Sequence, residues 1–146
     1  MVINTPPLVG YLRRMQNQVR LFAGLGAAAV ALGAFGAHGL QSIVAPEAVA
    51  TFTTGVRYHF YHTLAIGLAL VLPLLPGVNG RRCQQAIWCF VAGIILFSAS
   101  LYLLALRDYH PIPTALLGPI TPVGGLAFIA GWLLLLLSPT KTNPYA

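Results

Sequence analysis

Charged residues are scarce in this sequence. They make up 7% of its 146 residues, against about 25% in ordinary soluble domains. Only two of them are acidic, Glu47 and Asp108, and they are far apart in the chain. They supply no carboxylate pair for acid–base catalysis, and no HExxH, nucleophile-elbow or phosphate-binding glycine motif is present. We therefore predict that the protein is not an enzyme.

Cysteine is almost as rare. The chain has two cysteines, Cys83 and Cys89. A separation of six residues is neither a CxxC spacing nor one face of a helix, which argues against a disulfide or a zinc site. We predict no metal site and no bound cofactor.

Apolar residues dominate instead. They account for 58% of the chain, and the mean hydropathy is +0.80. A helix rises about 1.5 Å per residue and must cross about 30 Å of hydrocarbon, so runs of about 17 to 25 apolar residues are candidate membrane spans. Four segments meet or approach this length: 19–39, 59–75, 85–106 and 120–137.

The predicted fold is an all-α integral membrane protein, a compact four-transmembrane-helix bundle. Its domain covers residues 19–137, preceded by a cytoplasmic segment, 1–18, and followed by a tail, 138–146. Between spans one and two, apolar residues recur at helical spacing after Pro46. This pattern predicts a short, separate interfacial helix on the outer membrane surface.

The distribution of basic residues predicts the orientation. Six lie on one side of the predicted spans and two, Arg57 and Arg107, on the other. The positive-inside rule then places both termini in the cytoplasm. The predicted location is a bacterial inner membrane, crossed several times. Orientation in the lipid bilayer, the predicted partner, explains the excess of basic residues. No nucleic-acid partner is predicted. The six residues are Arg13, Arg14, Arg20, Arg81, Arg82 and Lys141.

Small residues recur at helical spacing in the first and fourth spans. Such residues let helix backbones approach closely, so dispersion contacts replace the hydrophobic drive that lipid cannot supply. We predict tight helix interfaces there, with room for a flat ligand such as a quinone or a haem edge as the alternative. The packing residues are Gly33, Gly36, Ala37, Gly124, Gly125 and Gly131.

Histidine, tyrosine and threonine side chains cluster at the predicted outer ends of the spans. Tyr58 and His62 are four residues apart and share a helix face, and His59 lies nearly as close to His62. We expect the group to form one polar layer at the outer interface. One interpretation is a hydrogen-bonded structural collar; the other is a functional site with His62 as proton acceptor or axial ligand and His38 opposite. The candidate residues are His38, Tyr58, His59, His62, Tyr102 and Thr121.

Four motifs occur in matching order: ALGAFGAHGL, YHFYHTLA, FSASLYLLAL and TPVGGLAFIAGW. Together they make the chain similar to the YgdD-like family of small four-helix membrane proteins, a family of unknown function. The resemblance implies a fold and a location and supplies no reaction. His59 departs from the family pattern, because some members have glutamine there, and glutamine is a poor ligand for transition metals.

Two hypotheses for function follow. The first is a structural or accessory membrane protein that associates with itself or with a larger membrane complex. The second is a redox module in which a haem or a quinone binds at the His/Tyr layer.

Overall fold

A computed structural model describes residues 6–140 of the chain, with side chains described from residue 13 onward. The described residues form an all-helical domain without strands, which confirms the all-α part of the predicted fold class. Residues 1–5 and the tail from Lys141 lie outside the described part. The helices are α1 (Pro6–Ala34), α2 (Pro46–Val71), α3 (Gly80–Gly93), α4 (Ala99–Ala105) and α5 (Thr114–Leu136).

Two π-helical turns extend these helices. The first, Phe35–Gly39, continues α1. The second, Ile94–Ser98, joins α3 to α4, so that Gly80–Ala105 forms one 26-residue helical rod. Each π turn holds one more residue than an α-helical turn. The rod therefore changes its rotational setting at Ile94–Ser98 without breaking.

The described residues form four helical rods, which run antiparallel in chain order: α1 with its π turn, α2, Gly80–Ala105 and α5. At one end, the Tyr109 hydroxyl donates to the Ile43 carbonyl at 2.6 Å, joining the first and third connections. At the other end, the Asn79 N–H donates to the Ser138 carbonyl at 2.8 Å, and Arg82 donates to the carbonyl of Leu137. We call these the loop end and the basic end.

α2 is the central helix of the bundle. It packs against α1 on one side and against α3 and α4 on the other, while α5 packs on the α3–α4 rod. The main core holds Ile66 of α2, Ile87 and Phe90 of α3 and Phe128 of α5. A smaller cluster near the loop end contains Leu40, Phe52 and Ala105. Because α1 packs mainly on α2, most of its surface faces outward.

Three of the helical segments are long and apolar enough to cross a membrane: Arg13–Ser42, Gly80–Ala105 and Thr114–Leu136. α2 is not among them, although its 26 residues extend for about 39 Å. Its polar residues lower its hydropathy, and several of these, including His59, His62 and Thr63, are buried inside the bundle. Mean hydropathy counts these polar side chains even though they lie inside the bundle and away from its outer surface.

The separate interfacial helix predicted between spans one and two is wrong. Its residues form the first turns of α2, which continues without interruption from Pro46 to Val71. The sequence contains no proline or glycine pair that would end the helix between them, and Gly55, which packs against Tyr102, lies within the helix.

Two helices begin before the predicted spans to which they correspond. α1 begins at Pro6, so residues 6–18 of the predicted N-terminal segment are helical. α5 begins at Thr114, six residues before the predicted span, despite Pro119 and Pro122 in its interior. Each proline removes one backbone hydrogen bond, and both lie in the half of α5 nearer the loop end.

Most of the predicted packing residues allow close contact between helices, but two do not. A Cβ on Gly131 would lie 2.5 Å from the Phe90 ring, and one on Gly124 would meet the backbone of Phe97. Gly36 is buried against Phe52 and Gly33 lies beside Val56. Ala37 is exposed, and a Cβ on Gly125 would have only ordinary contact with Phe97, at 3.9 Å.

Substituting Gly124 by alanine tests the contact between α5 and the π turn Ile94–Ser98. The new methyl group would meet backbone atoms of Leu96 and Phe97, which cannot rotate away, so we expect a loss of about 1–3 kcal/mol of stability. Gly118→Ala, in the same helix, is the matched control because nothing lies within 4 Å of its Cβ. Thermal unfolding in detergent should separate the two variants; equal melting temperatures would contradict the packing described.

Candidate functional site

His59 and Tyr102 form a polar pair between α2 and α4. The His59 Nδ1 lies 3.2 Å from the Tyr102 hydroxyl. The tyrosine ring covers Gly55, where a Cβ would lie 2.8 Å from Cε1, and packs on Phe52 with ring centroids 4.7 Å apart. The other nitrogen of His59 is buried; the backbone of Leu25 faces the ring without completing a hydrogen bond of normal geometry.

His62 occupies a second polar pair, between α2 and α5. Its Nδ1 lies 2.8 Å from the carbonyl of Tyr58, one turn earlier, and the Trp132 indole N–H donates to its Nε2 at 3.3 Å. A carbonyl can only accept and an indole N–H can only donate, so the His62 proton is assigned to Nδ1 and its lone pair to Nε2. Both ring nitrogens are therefore used within the protein.

The His62 ring also packs among aromatic side chains. It stacks on Phe128, with centroids 3.4 Å apart and planes inclined by 7°. Phe90 and Trp132 approach it from two further directions. His62 is only 6% exposed. These contacts hold the ring in the orientation that its two hydrogen bonds require.

Thr121 joins a third polar pair, between α4 and α5. Its hydroxyl lies 2.7 Å from that of Ser100, and each hydroxyl also has a carbonyl one turn earlier within reach, Phe97 at 2.8 Å from Ser100 and Leu117 at 3.3 Å from Thr121. Each hydroxyl has a single hydrogen, so one hydroxyl donates to the other, which in turn donates to its own carbonyl. Such back-bonding is common for serine and threonine in helices. The pair links the two helices close to where Gly124 meets the backbone of Phe97.

His38 does not join these groups. It lies on an exposed surface of the π turn after α1 and makes no side-chain hydrogen bond with the described residues. The single outer layer was predicted because the second span was expected to begin near His59. α2 begins at Pro46, so Tyr58 and His62 lie about 18 and 24 Å along its axis. In the structure these side chains form pairs between different helices: His59 with Tyr102, His62 with Trp132 and Thr121 with Ser100.

An aromatic groove opens between α2 and α5 on the outer surface of the bundle. Its volume is about 730 Å³. Tyr58 forms part of its wall and packs on Phe97 with centroids 4.6 Å apart. His62, with its ring edge against Trp132, lines the same space. The lining residues are Tyr58, Tyr61, His62, Phe97, Pro122, Gly125, Leu126, Phe128, Ile129 and Trp132.

Sequence reasoning missed two partners of the polar pairs. Trp132 lies in an apolar run and was not singled out, although it follows Phe128 by four residues and so shares its helix face. Ser100 lies in the motif FSASLYLLAL, which does not show that Thr121 is its partner. The sequence signal for Trp132 is its indole N–H donor, which lies on the same helix face as the aromatic residue Phe128.

The site has little capacity to hold a metal. In the part of the chain that the structure describes, no group of three or more His, Cys, Asp or Glu side chains is close enough to bind one. Cys83 is buried and Cys89 partly buried, and both are free thiols. Haem ligation by His62 would require breaking its bond with Trp132.

Comparison with known proteins identifies relatives of this chain. A family model described as "Protein of unknown function (DUF423)" matches residues 32–125. The UPF0382 membrane protein YwdK of Bacillus subtilis is 41% identical over 128 residues, covering 84% of this chain and 98% of the relative. A UPF0382 membrane protein of Haemophilus influenzae is 39% identical over 130 residues, covering 88% and 98%. No solved structure matches.

Trp132→Phe tests the bond to His62. It keeps an aromatic ring but removes the N–H donor, so we expect a loss of about 0.6–2 kcal/mol, the usual worth of an interhelical hydrogen bond in a membrane. Trp88→Phe makes the same change at a side chain that is 57% exposed. Thermal unfolding in detergent should show the larger decrease for Trp132→Phe, and an equal decrease in both variants would rule out a contribution from the bond.

Proposed function

This chain belongs to the DUF423 family of membrane proteins, and we propose that it is a structural or accessory four-helix protein that associates with itself or with a larger membrane complex. In this proposal it catalyses no reaction. One observation carries the proposal: both ring nitrogens of His62, a buried candidate for chemistry, are engaged by Tyr58 and Trp132. A side chain used in this way stabilises helix packing.

The proposal includes α2 as a fourth membrane span. α1 reaches the loop end and α3 starts from the basic end, so the chain must return between them, and α2 is the helix that connects those ends. Its buried polar residues explain why it is less apolar than the other three. Arg57 lies within reach of the loop end, where a long side chain can extend to the headgroups.

Four spans imply that both termini lie on the same side of the membrane. The basic end carries most of the arginines, which favours a cytoplasmic location for that end. We propose the bacterial inner membrane as the host, in keeping with the Bacillus and Haemophilus relatives.

The exposed surface of α1 supports association with another helix. Gly24, Ala28 and Ala31 share one face of this helix and are exposed, and nothing lies within 4 Å of a Cβ on Gly24. Small residues on an open helix face permit close approach of a second helix in lipid. Either a second copy of this chain or a subunit of another membrane protein would fit.

A quinone-binding module is the second candidate, and the aromatic groove favours it. The groove is lined by planar rings and opens sideways, where a flat, lipid-soluble ring could enter. Haem has less support, since His38 lies apart from His62 and the His62 lone pair faces an indole N–H.

Reporter fusions test the number of spans. With four spans, alkaline phosphatase fused after Gln41 should be active in a bacterial host, whereas fusions after Asn79 and at the C terminus should be inactive. The two internal sites flank α2, so they report on this helix directly. Equal activity after Gln41 and Asn79 would mean that α2 does not cross the membrane.

Native mass spectrometry of the protein in mild detergent tests association. We expect a dimer or a complex with another membrane protein, weakened in the variant carrying Ala28→Leu and Ala31→Leu because added bulk blocks the α1 face. Val123→Leu, which adds bulk to an exposed position of α5, is the control. A wild-type monomer that retains a quinone on solvent extraction would favour the second candidate instead.

A further inference from the structure

A crevice between α1 and α3 at the basic end is separate from the polar pairs and from the aromatic groove. It consists of two neighbouring cavities of about 340 and 610 Å³. Gln18 of α1 and Gln84 of α3 line both cavities and form a hydrogen bond across the gap. We call this space the basic crevice.

Arginine side chains flank the basic crevice. Arg14 lines both cavities, Arg81 lines the smaller and Arg13 the larger. Arg14 and Arg81 are exposed and come from different helices, α1 and α3. The crevice therefore has a cationic mouth to which two separate helices contribute.

No acidic side chain is available to neutralise these arginines. The chain has only two, Glu47 and Asp108. Glu47 lies in the first turn of α2, at the loop end. Asp108 follows α4 at the same end and lies 3.9 Å from Arg107. An anion bound at the basic crevice therefore cannot be an acidic side chain of this protein.

The inner wall of the crevice is apolar. Ala69 and Leu70 of α2 and Ile87 of α3 line the smaller cavity below the arginines. Their side chains cannot bind a small hydrated anion, but they can pack against a hydrocarbon chain. The crevice thus combines a cationic mouth with an apolar interior.

We propose that the basic crevice binds an anionic phospholipid, with its phosphate between Arg14 and Arg81 and one acyl chain against the apolar wall. Guanidinium groups match phosphate oxygens in geometry and charge. Basic pockets between membrane helices are also a common form of headgroup site. The bound lipid fills the gap between α1 and α3 that Gln18 and Gln84 bridge. It therefore stabilises the position of α1, which otherwise packs mainly on α2.

Lipid titration of the full-length protein in a neutral detergent tests this proposal. Phosphatidylglycerol should form an adduct in native mass spectra and raise the melting temperature, because a ligand that binds only the folded state stabilises it. Phosphatidylcholine should do neither. If phosphatidylcholine acted equally, or if millimolar inorganic phosphate gave the same stabilisation, the anionic phospholipid would be ruled out.

Two variants locate the site. The double variant Arg14→Gln with Arg81→Gln should weaken phosphatidylglycerol binding at least tenfold. The control, Arg20→Gln with Arg57→Gln, removes the same charge outside the crevice and should bind as the wild type does. Equal weakening in both would show attraction by net charge alone and overturn the proposal.

A steric variant keeps the test independent of charge. Leu70→Trp fills the smaller cavity without changing any arginine, so it should also weaken the lipid adduct while leaving Arg14 and Arg81 in place. Unaltered binding by Leu70→Trp would mean that no acyl chain enters the crevice. For each variant, the shift caused by lipid is measured from that variant's own melting temperature without lipid. This separates lost binding from lost folding.

Discussion

The bundle depends on the inward orientation of the polar residues of α2. In hydrocarbon, each polar group without a partner is costly, so a helix with two histidines can lie among membrane helices only when they face protein. His59 and His62 are both buried and meet donors or acceptors from α4 and α5. Because α4 and α5 supply these partners, the hydrogen bonds link the positions of both helices to that of α2.

Aromatic packing and hydrogen bonding reinforce each other around His62. Stacking on Phe128 restricts the plane of the imidazole ring, and this plane directs Nε2 toward Trp132 and Nδ1 toward the backbone of its own helix. Glycines at the neighbouring contacts make the arrangement possible, since Gly93 and Gly131 leave space for Phe128 and Phe90. Small and large residues thus alternate across the α3–α5 interface.

The sequence predicted the all-helical class and the approximate positions of the apolar segments, because continuous hydrophobicity depends only on composition and length. It did not predict the start of α2, since nothing between Pro46 and Tyr58 distinguishes a surface helix from the first turns of a longer one. It also could not pair the polar residues. A histidine at the right spacing can face several helices, and Trp132 lies among leucines that hide its role as a donor.

The π turn at Ile94–Ser98 determines which side of the α3–α4 rod its residues face. Phe90, Ile94, Ser98 and Tyr102 follow one another every four residues, and the first three are buried. In a regular α-helix such a series drifts by about 40° at each step, which would carry Tyr102 away from α2. The wider turn compensates for this drift and returns Tyr102 to Gly55. The alignment of this rod is therefore encoded in the number of its residues as well as in their identities, and a single inserted or deleted residue would rotate one half relative to the other.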